Sequence, residues 1–176
     1  IIGGKMQTIK YIFLLALFLA SSKIGKMLSQ KYSYRVEELE EIKNGLNIFK
    51  TKIKFTYETI PEIFEEISKN ITKNIANIFN LTVKNLNNMS ATEAWEQAIE
   101  NEKKNTNLND EDIRVIKLLS KQLGSTDIDG QISQIEITEH FLDTQIKQAQ
   151  QEKEKNQKLY QKLGTTMGLV IVILLI

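Results

Sequence analysis

A chain of 176 residues has room for one compact domain of ordinary size, and with 23 Lys+Arg against 22 Asp+Glu it carries no overall field that would steer it toward nucleic acid or an acidic substrate. Among its basic groups only Arg35 and Arg114 are arginines, which disfavours bidentate recognition of phosphate or guanine edges, and the absence of cysteine removes disulfides, thiolate metal sites and thiol nucleophiles together. One proline, Pro61, and eight glycines are a small supply of helix breakers, so long helices are expected.

The first feature along the chain is the uncharged run Tyr11 to Ser22, bounded by Lys10 and Lys23, with Ile24, Gly25, Met27 and Leu28 continuing an apolar stripe. A span needs about 20 mostly apolar residues, and snorkelling lysines extend this run to roughly that length, with Tyr11, Phe13, Leu14, Leu15, Leu17 and Phe18 as its membrane face. The same stretch fits a signal peptide: Lys5 and Lys10 form a basic n-region, and Ala20, Ser21 and Ser22 offer small residues for cleavage. Lys23, Lys26, Lys31 and Arg35 follow the run, where a translocated chain normally avoids positive charge, and they argue for a retained anchor with the following domain in the cytosol.

Apolar residues then recur at helical spacing. Leu39, Ile42, Leu46, Phe49 and Ile53 form one stripe of a helix expected over residues 32–57, continuous with the membrane helix. Thr59 and Pro61 suit the start of a second helix, whose buried face is read as Ile63, Phe64, Ile67, Ile71, Ile75, Ile78 and Phe79. Ser90-Ala91-Thr92-Glu93 has the S-x-x-E spacing of a capping box ahead of Ala94, Trp95, Ala98 and Ile99. Asn109 can cap the next helix, with Asp110, Glu111 and Asp112 at the positive end of its dipole, a face of Ile113, Ile116, Leu119 and Leu123, and Gly124 as its stop. The last helix begins near Thr126; Ile128, Ile132, Ile135, Leu142, Ile146 and Ala149 repeat on a seven-residue period, as in a coiled-coil hairpin, while Glu139, Lys153 and Asn156 interrupt the stripe.

Residues 163–176 are again uncharged, with Leu169, Val170, Ile171, Val172, Ile173 and Leu174 as candidate membrane contacts and Lys153, Lys155, Lys158 and Lys162 ahead of them. Fourteen residues reach about 21 Å as a helix, less than a hydrocarbon core of roughly 30 Å. The tail therefore either penetrates partway or packs on the first segment through Gly164 and Gly168, whose G-x-x-x-G spacing suits close helix approach but also arises by chance in such a run.

Groups that carry chemistry are sparse. His140 stands alone in the long helix without a second histidine or a cysteine to share a metal or triad role. Asp127 and Asp129 before Gly130 lack the remaining ligands of a calcium loop and read as helix caps, and no Gly-rich phosphate loop is present. Trp95 reads as a core residue or an interface anchor, with the core favoured. Neither catalysis, a cofactor nor a metal is expected.

Taken in order, these features resemble the stage III sporulation protein AB family of endospore-forming bacteria. The resemblance rests on Ala94-Trp95-Glu96-Gln97-Ala98, similar to the family's A-W-E segment, on Leu123-Gly124 with Asp127 and Gln131, similar to its L-G-x-x-D-x-x-x-Q run, and on Lys162-Leu163-Gly164 before Gly168-Leu169. The sequence departs from the family pattern at Tyr34-Arg35-Val36-Glu37, where an Arg-Pro-Arg-like segment is common, and at Gln134, where the family often has histidine. The resemblance implies a helical domain similar to those of the type II secretion inner-membrane platform protein, acting in the mother cell within the channel complex between mother cell and forespore. It implies contact with a companion ATPase, stage III sporulation protein AA. The expectation is therefore an all-α helical bundle with long antiparallel helices, divided into a membrane anchor (1–31), a cytosolic domain (32–162) and an apolar tail (163–176). Trp95, Glu96, Gly124, Asp127 and Gln131 are the candidate partner interface, and a secreted helical protein with a cleaved signal peptide is the alternative.

Overall fold

A computed structural model describes residues 2–56 and 58–175, the side chains of 2–6 and 8 excepted. The side chain of Lys5, counted in the basic n-region, and Tyr57, the expected end of the first long helix, lie outside the described residues. The chain forms six α-helices, α1 (Ile2–Phe55), α2 (Ile60–Lys69), α3 (Lys73–Asn85), α4 (Ala91–Glu102), α5 (Asp110–Lys117) and α6 (Ile128–Leu175), with short 3-10 turns at Lys103–Asn105 and Leu118–Lys121 and no strand among the described residues. The expected all-α architecture with long terminal helices is what is found. Two compact units result, one of residues 34–149 and one pairing residues 1–33 with 150–176.

The 34–149 unit is built around aromatic rings spaced fifteen or sixteen residues apart in sequence. Phe49 of α1 meets Phe64 of α2 edge-on at 5.1 Å, Phe64 meets Phe79 of α3 at 5.1 Å, and Trp95 of α4 packs on both at 5.6 and 5.3 Å. All four are fully buried. Rings at these separations and tilts add roughly 0.5–1.5 kcal/mol per pair beyond the area they bury. Gly45 makes the space: a Cβ there would stand 3.1 Å from the Phe79 ring and 3.0 Å from Ile67.

The single helix expected to carry both Ile63 and Phe79 is two. Asn70 turns its amide back to the Glu66 carbonyl at 2.9 Å and ends α2. Thr72 then starts α3, donating its backbone N–H and its hydroxyl to the Glu41 carboxylate of α1 at 3.1 and 2.6 Å. The break lets α2 and α3 lay separate apolar faces on one core, which a straight helix of that length could not do. Ser90 and Glu93 form the expected capping box of α4, and Asn109 and Asp112 form one at α5.

Asp112 does more than cap. Its carboxylate is buried and accepts two hydrogen bonds from the Arg35 guanidinium of α1, at 2.8 and 3.0 Å, as well as the Asn109 N–H at 2.9 Å. One turn along α1, buried Glu38 accepts the backbone and side-chain N–H groups of Asn107 at 2.6 and 2.9 Å. Burial pushes the Glu38 carboxyl above the ordinary glutamate range, against the lowering effect of those hydrogen bonds. The 106–112 segment is thereby fastened to α1 by two charged groups.

On α6, Ile135, Leu142 and Ala149 are buried, whereas Ile128 in the first turn is exposed. Glu139, where the stripe wants an apolar group, reaches Lys50 of α1 at 2.5 Å, and Asp143 likewise reaches Lys43 at 2.5 Å. Ion pairs across the antiparallel α1 and α6 thus replace apolar contacts on that side.

In the second unit residues 2–33 of α1 and 150–175 of α6 run antiparallel. A Cβ on Gly25 would lie 2.7 Å from the Gly164 Cα, and one on Gly168 would lie 2.9 Å from the Phe18 ring, so both glycines of the G-x-x-x-G pattern face α1 at a close crossing. Ser21 donates its hydroxyl to the Gly164 carbonyl at 2.8 Å, and Tyr32 stacks on Tyr160 at 5.7 Å. Each helix is long and apolar enough to cross a membrane. Of the residues assigned to the membrane face, Leu14 is buried in the pair, Leu17, Phe18, Ile171 and Val172 are half-buried, and Tyr11, Phe13, Leu15, Leu169, Val170, Ile173 and Leu174 are exposed.

Candidate functional site

The residues of the A-W-E and L-G-x-x-D-x-x-x-Q segments come together where the first turns of α4 meet the chain between α5 and α6. Thr92 donates its hydroxyl to the Ser120 carbonyl at 2.8 Å, and the Ser120 hydroxyl donates to Glu96 at 2.6 Å. The Trp95 indole N–H donates to the Ile116 carbonyl at 3.1 Å, and Gln134 donates to the Leu118 carbonyl at 2.8 Å. The last carbonyls of α5 and its 3-10 extension are thus satisfied by side chains from α4 and α6, which is how a helix end can stop inside a packed unit.

Each residue of the second segment has a local task. Leu123 is buried, and Gly124 takes φ of 68°, the left-handed conformation that closes a helix C-terminus, with its Cα side turned to Ala91. Asp127 caps α6, accepting the Gly130 N–H at 2.8 Å, and a Cβ on Gly130 would stand 1.9 Å from the Thr126 hydroxyl. Gln131 bridges the turn, accepting the Gly124 N–H at 3.4 Å and donating to the Thr126 carbonyl at 3.3 Å.

Of the five interface candidates, Trp95 is fully buried. Glu96, Gly124 and Asp127 are exposed and Gln131 is half-buried. Glu96 belongs to a row that sequence reading passed over: Glu93, Glu96 and Glu100 follow one face of α4 and, with Met89, Gln97 and Lys117, line a shallow groove of about 570 Å³. The signal was present in the three- and four-residue spacing of the glutamates. Hydrogen bonds from Lys103 and then Lys117 hold the exposed Glu100 carboxyl down at about 2, and those from the Ser90 side chain and backbone lower Glu93. Both of these carboxyls are thereby held in the charged form at neutral pH. The groove is open, and three carboxylates and Lys117 line it. His140 lies elsewhere, exposed on α6 beside Phe141.

Comparison with known proteins agrees with this architecture. The model of the family described as Stage III sporulation protein AB matches residues 10–176. The Stage III sporulation protein AB of Bacillus subtilis (strain 168) is 23% identical over 158 residues, spanning 89% of this chain and 92% of that protein. A solved structure of a Stage III sporulation protein AB shares the fold with a TM-score of 0.66 at 19% identity, covering 69% of this chain and 98% of that one.

Proposed function

The chain belongs to the stage III sporulation protein AB family, and on that premise we propose that it is a non-catalytic, membrane-anchored assembly component of a sporulation channel between mother cell and forespore. The terminal helices, 1–31 and 163–176, hold residues 32–162 at the cytoplasmic face of the mother-cell membrane, and that domain engages a companion ATPase, stage III sporulation protein AA. The observation that carries the reading is the pairing of two span-length apolar helices through Gly25, Gly164 and Gly168, together with a separately packed helical unit that presents an acidic face. A tether joined to a polar binding surface is what an assembly component requires.

The Glu96 face is the proposed contact. Asp127 caps α6, so Asp127→Ala is expected to weaken the turn by about 0.5–2 kcal/mol as well as remove a surface charge. Glu96→Gln keeps an acceptor for Ser120 and tests the charge more cleanly. In pull-downs of the ATPase by protein of unchanged melting temperature, Glu96→Gln combined with Glu93→Gln is expected to weaken capture; undiminished capture sinks this contact. A mature chain starting near Ser21 and recovered from the medium would instead support the secreted alternative.

A further inference from the structure

The near-neutral total conceals a division of charge between the two units. Residues 1–33 and 150–176 hold nine lysines against two glutamates, Glu152 and Glu154, a net +7, which leaves 14 basic and 20 acidic side chains, a net −6, in residues 34–149. Seven of the nine lysines, between Lys23 and Lys31 and between Lys153 and Lys162, lie on the stretches joining the apolar runs to the 34–149 unit.

Beside these lysines the helix pair leaves a groove. Because Gly25 and Gly164 bring the backbones together without side chains, the walls are set by the larger residues on either side: Leu17, Ile24 and Leu28 on α1, and Leu163, Met167 and Ile171 on α6. The groove has a volume of about 490 Å³. From Leu17 to Leu28 it runs roughly 16 Å along α1 at about 1.5 Å per residue. That is long, narrow and apolar, the shape of a hydrocarbon chain. Its rim toward the lysines is formed by Leu28 and Tyr160; Lys31 follows Leu28 by three residues on α1, and Lys153 lies two turns from Tyr160 on the same stripe of α6, with Asn156 and Gln157 between them. Tyr160, with Tyr32 stacked on it, is an amphipathic ring of the kind that sits at headgroup depth.

From this juxtaposition we propose that the groove holds an acyl chain of an anionic phospholipid whose phosphate is met by Lys31 and Lys153. The inference rests on the membrane-tethered reading above. Charge selects the occupant: a neutral lipid or an apolar helix fills the groove equally well but gains nothing from the lysines, whereas an anionic headgroup gains about fivefold in affinity from each lysine near the surface. The acidic 34–149 unit offers no such attraction, so a lipid preference belongs to the helix pair.

Native mass spectrometry of the full chain released from detergent, with phosphatidylglycerol or phosphatidylcholine added at equal concentration, tests this. Flotation with phosphatidylcholine vesicles is run beside it. Expected are flotation, retention of one phosphatidylglycerol in preference to phosphatidylcholine, and a loss of that preference by about tenfold or more in the double variant Lys31→Gln, Lys153→Gln. Filling the groove with Ala20→Phe, or with Leu163→Trp should the first variant lose helix content, is expected to abolish retention with both lysines in place. Equal retention of the two lipids overturns the proposal, as does a preference that survives the lysine substitutions or one that is indifferent to the filled groove. A dimer mass lost on filling the groove assigns the groove to a second copy and overturns it too. Failure to float overturns the tether itself, and the lipid site with it.

Discussion

Arg35 and Asp112 are 77 positions apart, and both are nearly inaccessible to solvent. Neither position distinguishes itself in the sequence: Arg35 reads as one more positive charge after the membrane run, and Asp112 as the third acid of a helix start. Only tertiary packing reveals that they neutralise each other. Removing one partner breaks a buried ion pair, so Asp112→Ala is expected to cost about 3–5 kcal/mol in chemical denaturation, whereas replacing both by apolar groups of similar volume is expected to restore much of the loss. Equal losses in the single and double variants would contradict the pairing. Glu38 supplies a test by pH. Its carboxyl titrates above the ordinary glutamate range in the folded chain, so its contribution to stability is fullest below that range and declines as pH rises through it toward the raised folded value. The stability of the wild-type chain relative to Glu38→Leu should therefore fall as pH rises from acidic toward neutral. A difference that is flat in pH, or that rises, would contradict the burial argument.

At the scale of elements, the box at Ser90 and the cap at Asn109 were legible because capping is local, while the reciprocal role of Asp112 in the Asn109 box came with the structure. Ser90→Ala should lower stability by about 1 kcal/mol, measured as a shift in denaturation midpoint without a change in slope. The break at residues 70–72 was not legible, because its decisive partner is the Glu41 carboxylate on another helix and because Ile71 keeps the apolar period running straight through it. The opposite happened at Gly124, where a lone glycine after an apolar stripe marked a helix end that the left-handed φ explains. Gly124→Ala must adopt that conformation with a Cβ 3.0 Å from the Ala91 methyl, and a loss of about 1–2 kcal/mol is expected. The family-like residues themselves have sharpened in meaning. Leu123, Gly124, Asp127 and Gln131 build the turn, Trp95 fills the core, and Glu96 is the member with a charged group directed to the surface row.

At the scale of the whole molecule, alternation of apolar ends with a charged, periodic middle was enough to read an all-α chain with apolar terminal helices, since hydrophobic period is a property of sequence alone, whereas the last run read as too short to span until the helix was seen to extend its apolar stretch. Pairing of the ends was legible only as an option, because G-x-x-x-G spacing has meaning once a partner backbone lies against it. Gly164→Leu is accordingly expected to separate the terminal helices, seen as a longer distance between spin labels at Ser21→Cys and Met167→Cys, while the aromatic core of the 34–149 unit keeps its near-ultraviolet spectrum. The central proposal is a tethered domain facing the cytoplasm of the mother cell. The absence of native cysteine allows a direct measurement: an Asn105→Cys chain, treated in intact cells with a membrane-impermeant maleimide, should remain unlabelled until the membrane is opened. Labelling at Asn105 in intact cells would contradict the account.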